Sequence, residues 1–306
     1  MGVEFKSLSG PFGIELLGVD LSKDRSEATL REVVSLFYKH QFIVVRRQEL
    51  RLEDFDAITR AFGAQRPHFL DHLRMDNHPS ILMLSNVFDN GRQIGVYEGA
   101  CFWHTDVAYE DPPNSSTIVY SRLAPKCAPT YVADMFSAYD ALPERTKRRI
   151  NDLTAIHHYG NREDTVEGSP TAAERLTDEQ KKRVVVVHHP LVKRHPATGR
   201  RSLYGVAGSS FGIVGMPEDE ALQLLRELAA HATSPEFATA FDYEVGDLAA
   251  WDTYSTLHKA PVVKRASMSD PHARILWRVS VTGLSPLVKA HPDYIVPTER
   301  AFAVQR

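Results

Sequence analysis

Short apolar runs separated by turn residues recur along the whole length of this 306-residue chain. They read "QFIVVRR" (41–47), "ILMLSNV" (81–87), "STIVYSRL" (116–123), "TYVADMF" (130–136), "RVVVVHH" (183–189), "DLAAWDTY" (247–254) and "RILWRVSVTG" (274–283). They have strand length, are rich in β-branched and aromatic residues, and lie between Pro and Gly turns. A chain built this way predicts a mainly-β fold with flanking helices, a sandwich or jelly-roll barrel. Because the strands span the whole chain with no low-complexity linker, one domain over 1–306 is expected.

Helical spacing is confined to a few places. Leu30, Val33, Val34 and Phe37 predict a helix over 26–39, and Phe55, Ile58 and Phe62 predict one over 52–62 that stops at Gly63. The clearest helix opens at Pro217. Glu218, Asp219 and Glu220 suit its positive end, and Leu222, Leu225, Leu228 and Ala229 form an apolar stripe. One segment, "GNREDTVEGSPTAAERLTDEQKKR" (160–183), is too polar for a core and reads as a surface excursion, a candidate lid.

A net charge of −3 gives no basic surplus for neutralising phosphates, so no nucleic-acid partner is expected. The apolar runs fall far short of the roughly 20 residues of a membrane helix, so no membrane partner is expected either. "MGVEFKSLSG" lacks the layout of a signal peptide. Two cysteines, Cys101 and Cys127, are too few for a disulfide framework. The expectation is a soluble protein of a reducing cytoplasm.

Within this frame, "FWHTDVAYE" (102–110) sets His104 and Asp106 two residues apart. In an extended strand both side chains leave from one face, as two ligands of one metal or as a buried ion pair. Cys101-x-x-His104 would be half of a zinc site, but no second pair follows. In "RILWRVSVTG", alternation puts Ile275, Trp277, Val279 and Val281 on one face. Arg274, Leu276, Arg278, Ser280 and Thr282 fall on the other. The two arginines form either an exposed polar face or a pair of anion-binding forks in a barrel mouth. His258, ending "WDTYSTLH", would complete two imidazoles and one carboxylate, a facial triad that leaves open positions on a non-heme Fe(II).

"WHTDVAYEDPP" (103–113), "PTYVADMFSAYDALP" (129–143), "GDLAAWDTYSTLH" (246–258) and "ARILWRVSVTG" (273–283), together with the opening "GIELLGVDLS" (13–22) and "FIVVRRQEL" (42–50), resemble the taurine dioxygenase family, which includes the chlorophenoxyacetate dioxygenases. The resemblance implies a double-stranded β-helix (jelly roll, cupin-like) and a dioxygenase using Fe(II), 2-oxoglutarate and O2. It implies that His104, Asp106 and His258 hold the metal and are the catalytic centre. Arg274 matches the residue that pairs with the distal carboxylate of 2-oxoglutarate, and Thr130 a hydroxyl that assists it. Arg278 matches an arginine close to the substrate's acidic group, and His68 a histidine that touches the substrate. His158 and Tyr159 lie where the family's lid begins and are candidate pocket residues. The implied reaction oxidises a small anionic substrate, by hydroxylation or by cleavage beside a heteroatom, while 2-oxoglutarate becomes succinate and CO2. A homo-oligomer, dimer or tetramer, is implied as well.

The chain departs from the taurine enzyme on the substrate side. Ala100 stands where an Asn is expected, Ser209 where an aromatic is, and the stretch before Thr130 lacks the usual Gly-Gly-Asp. "VVKRASMSDPH" (262–272) is an insertion at the active-site mouth. These differences argue against taurine and leave open the oxidative tailoring of an amino acid or natural-product intermediate. A zinc hydrolase on the same triad is the remote rival, and a dicarboxylate clamp of arginines beside the metal argues against it.

Overall fold

The computed structural model describes residues 2–68, 74–97, 100–125, 128–159 and 178–294. Its main sheet runs in the order Glu4–Ser7, Ile14–Leu17, Phe42–Val45, Leu248–Asp252, Asn114–Leu123, Ile275–Thr282, His78–Ser85 and Arg74–Met75, and Ala64–Arg66 pairs with the end of Ile275–Thr282. Strands from both ends of the chain therefore meet at its centre, where Asn114–Leu123 lies antiparallel between Leu248–Asp252 and Ile275–Thr282. Facing it is a three-stranded sheet with Thr130–Asp134 between Ala238–Phe241 and Thr256–Lys259. A third sheet carries Thr154–His157 between Val187–Pro190 and Ser210–Ile213.

Alternation along the central strands builds two cores. Ile43, Val45, Ile118, Tyr120, Leu248, Ala250, Val279 and Val281 point outward and pack beneath the helices Glu27–His40 and Leu52–Thr59, meeting Val33, Val34, Phe37, Phe55 and Ile58. Their neighbours Phe42, Val44, Val119, Ala249, Trp251 and Leu276 point inward and meet Val132, Phe241 and Tyr243 of the facing sheet. Both faces of the central strands are thus buried, which is why they read as continuous apolar runs. The predicted helix at Pro217 spans Glu218–Ala232 and lays Ala221, Leu224, Leu225 and Leu228 against a separate cluster that includes Leu203 and Ile213.

Four predicted elements have other bounds. "TYVADMF" stops being a strand at Asp134, whose carboxylate accepts from Phe136 N (2.9 Å) and Ser137 N (3.0 Å) and starts the helix Met135–Ala141. "DLAAWDTY" ends at Asp252, which accepts from Tyr254 N and turns the chain. "RVVVVHH" is a strand only from Val187. Its first residue ends the helix Asp178–Arg183, and Val185 and Val186 are exposed. The helix predicted over 52–62 closes at Thr59. Of the candidate lid, residues 160–177 lie outside the described residues.

Candidate active site

His104 and His258 are brought together by backbone pairing. His104 N donates to His258 O and His258 N to His104 O, each at 2.9 Å. Residues that exchange both bonds sit directly opposite, so their side chains leave from the same face. Their ring centroids lie 4.1 Å apart. Past His104 the chain leaves the strand, and Val107 takes a φ of 53°. The turn swings the Asp106 carboxylate between the rings, with Oδ1 3.4 Å from His104 Nε2 and Oδ2 3.5 Å from His258 Nε2. The three ligating atoms lie within 4.8 Å of one another and all three residues are buried. The juxtaposition read from the sequence is present, made by a turn rather than by an extended strand.

Protonation favours a cation at this point. Phe102 O lies 2.9 Å from His104 Nδ1, so that nitrogen donates to it and Nε2 is the ring atom turned toward Asp106. Burial, reinforced by His104, pushes His258 down to about 3, so it is neutral near pH 7 as a metal ligand must be. Burial works against an ionised Asp106, but Arg278 and the two imidazoles hold its carboxyl well below the usual range. Two imidazoles and a carboxylate converge on one point, which is the donor set for Fe(II). Thr117 donates to Asp106 Oδ2 at 2.6 Å and fixes its plane, and Trp251 lies against His258 with centroids 4.8 Å apart.

Both arginines of the Ile275–Thr282 region turn inward, so the exposed-face reading fails. Arg274 is buried at 7 % exposure. Among the described residues its guanidinium lies 3.5 Å from Thr130 Oγ1 and 5.7 Å from the centroid of the Tyr243 ring, with Cys101 also near it, and no carboxylate pairs with it. Burial pushes its guanidinium below the usual arginine value, with Tyr243 opposing the shift. A buried cation without a counter-ion is costly unless a ligand supplies one. Arg278 Nη2 donates to Asp106 Oδ1 at 2.7 Å and to Ser280 Oγ at 2.9 Å.

A cavity opens beyond Arg278, lined by His68, Leu82, Val107, Tyr109 and Glu110 among others. Arg66 at its rim is occupied by Glu110 (2.8 Å) and Pro112 O (2.6 Å), which pins the turn after Asp106. Of the candidate pocket residues, His68 is in this lining. Tyr159 reaches it through Tyr109, whose ring centroid is 4.8 Å away. His158 is not in the lining; its backbone N donates to Ser209 O.

Sequence reasoning missed Thr117 and Tyr109. Thr117 ends a run, "NSST", that is entirely buried within the strand Asn114–Leu123; four small polar residues inside an apolar strand were its available signal. Gly208 was also missed. It has a φ of +86°, and a Cβ there would lie 2.5 Å from His104 Cβ. Gly208→Ala is expected to displace His104 and weaken Mn(II) binding about tenfold or more, measured by calorimetry; unchanged affinity would show that the loop yields freely.

Behind the site, His189 Nε2 lies 3.1 Å from Glu110 O, and His157 Nδ1 lies 3.0 Å from Ser209 Oγ. Burial pushes His157 down to about 3 and His189 down to about 2, with Lys193 adding to each. In the unfolded chain both titrate near 6.5. The unfolded state therefore takes up more protons below that pH, and stability is full above about 6.5 and lost as pH falls. The slope is about 1.4 kcal/mol per pH unit for each imidazole. Denaturant melts between pH 7 and pH 4 should show this loss, and replacing His157 with Gln should make it shallower.

A jelly roll whose interior holds two imidazoles, a carboxylate and a buried arginine defines a non-heme iron dioxygenase that uses 2-oxoglutarate and O2. The chain belongs to the taurine catabolism dioxygenase TauD, TfdA family, whose family model matches residues 4–280. It is 29% identical over 260 residues to pentalenolactone F synthase of Streptomyces arenae, covering 81% of this chain and 86% of that one. It is 28% identical to the alpha-ketoglutarate-dependent 2,4-dichlorophenoxyacetate dioxygenase of Cupriavidus pinatubonensis, covering 85% and 92%. The solved structure of AAD-2 with Mn(II) and N-oxalylglycine superposes with a TM-score of 0.74 at 28% identity, over 93% of this chain and 100% of that one.

Proposed function

We propose that this enzyme oxidises a small organic anion at a carbon held beside His104, Asp106 and His258, by hydroxylation or by cleavage where that carbon bears a heteroatom. The carrying observation is Arg274, a buried guanidinium that no carboxylate among the described residues neutralises. The distal carboxylate of 2-oxoglutarate would supply the missing charge, with Thr130 Oγ1 beside it. Fe(II) and 2-oxoglutarate supply the oxidising chemistry, and the protein supplies placement and charge. His104, Asp106 and His258 would hold the metal on one side and leave the other to cosubstrate and O2.

Arg278 keeps Asp106 ionised and reaches the wall of the cavity, so a substrate anion docked there sits next to the metal. His68 would add a second contact, and Tyr109, backed by Tyr159, an apolar wall. The 2,4-dichlorophenoxyacetate relative acts on a carboxylate, in keeping with this reading. His158 is retained only as a residue bordering Ser209. The same family resemblance supports a homo-oligomer of two or four chains, which light scattering would test, and the two cysteines support a reducing cytoplasm.

Aerobic incubation with Fe(II), ascorbate, 2-oxoglutarate and a panel of carboxylates, sulfonates, sulfate esters and phosphonates tests the proposal. Substrate-dependent succinate is expected from an anionic member, and a response confined to neutral or cationic compounds would overturn the anion assignment. Arg278→Ala should raise the substrate KM about tenfold or more, the scale of a lost charge-assisted contact, and leave the KM for 2-oxoglutarate within about twofold. An equal rise in both constants would move Arg278 from substrate to cosubstrate.

A further inference from the structure

Asn86 follows the strand His78–Ser85 and is 1 % exposed, yet every polar atom of its side chain is used. Oδ1 accepts from Arg274 N at 2.7 Å. Nδ2 donates to Lys264 O at 2.7 Å and to His272 O at 2.8 Å. Its backbone is committed to the same two regions, since Asn86 N donates to Arg274 O (3.3 Å) and Ala266 N donates to Asn86 O (2.9 Å). One buried amide thus joins both ends of the 262–272 insertion to the residue whose guanidinium lies beside Thr130.

Only an amide fits these demands. The site needs one acceptor facing an N–H and two donors facing carbonyls, and asparagine presents that pattern from one planar group. A carboxylate would set an oxygen against two carbonyl oxygens, and an aliphatic residue would leave the buried Arg274 N and the part-buried Lys264 and His272 carbonyls without their partner. The insertion is docked along the rest of its length too. Phe88 N donates to Ala266 O at 2.9 Å, Tyr97 OH to Val263 O at 2.9 Å, and the Arg265 guanidinium lies over the Phe88 ring at 4.6 Å. Ala266, Ala273 and Ile275 close over Val87 in a small apolar cluster.

We infer that Asn86 is a positioning residue for the cosubstrate: it sets the backbone of Arg274, and so the place where its guanidinium meets a carboxylate, and makes the 262–272 insertion a fixed wall of that subsite. Asn86 touches neither the metal ligands nor the substrate cavity, so its effect should be confined to one ligand. The inference rests on Arg274 being the 2-oxoglutarate arginine, and the test separates the two.

Asn86→Ala and Asn86→Ser are made alongside Arg274→Ala, and 2-oxoglutarate and Mn(II) affinities are measured by calorimetry on the full chain. The expected result for Asn86→Ala is a tenfold or greater loss of 2-oxoglutarate affinity. Mn(II) affinity, and kcat at saturating 2-oxoglutarate with a substrate found in the panel, should stay within twofold. Asn86→Ser, which fits the space and keeps one hydroxyl for Arg274 N, should recover part of the loss and carries the test if the alanine variant does not fold. If Arg274→Ala weakens 2-oxoglutarate and the folded Asn86 variants do not, or if they lose Mn(II) binding equally, the positioning role is overturned. If Arg274→Ala itself leaves the affinity unchanged, the reading of Arg274 falls first.

Discussion

Asp106→Ala is expected to abolish 2-oxoglutarate turnover and Mn(II) binding while the barrel stays folded. Asp106 supplies the only negative charge of the three converging side chains, and it is the group that Arg278 and Thr117 are arranged to hold. Its removal leaves two imidazoles beside the Arg278 guanidinium with no anion among them, a site that repels a cation. Turnover should fall by at least about a thousandfold, as loss of a group the chemistry depends on commonly produces. His104→Ala and His258→Ala should do the same. The measurement is succinate formation together with calorimetric Mn(II) binding and a circular-dichroism melt. Near-normal turnover in any of the three variants would remove that residue from the metal site.

Arg274→Ala carries the second large effect, with a different signature. The guanidinium is buried and has no carboxylate partner among the described residues, so deleting it removes the attraction for a dicarboxylate without exposing an unpaired anion. The KM for 2-oxoglutarate should rise by about a hundredfold, the worth of a buried charge-assisted pair. Rate at saturation and Mn(II) affinity should change little. The variant should also be no less stable than the parent when no cosubstrate is present, because a desolvated cation has been taken away. An unchanged KM would show that the distal carboxylate is bound elsewhere.

How much of this was legible in the chain depended on whether a contact is local or long-range. Arg274 and Arg278 share a strand face by simple alternation, and the structure turns both inward. His104 and Asp106 were legible by spacing, although the turn at Val107, not an extended strand, joins their side chains. His258 was legible as the imidazole that would complete a facial triad, a reading the run of family motifs strengthened, because no local pattern links it to His104. Thr117, Tyr109, Asn86 and Gly208 stayed hidden for the same reason: each acts on a residue brought to it by strand pairing or loop packing. The "RVVVVHH" run misled because apolar character does not reveal that its first valines lie beyond the reach of the Thr154–His157 strand.

The mutual backbone pairing of His104 and His258 has a thermodynamic corollary. Those residues are roughly 150 positions apart, so an ion gripping both side chains acts as a removable crosslink across a very long loop. Its grip exists only after the two strands have met, so whatever the ion gains on binding is added to the cost of pulling them apart. At a free-metal concentration a hundredfold above its dissociation constant that gain is about 2.7 kcal/mol. Iron supply would then govern how long the folded chain survives as well as whether it can react.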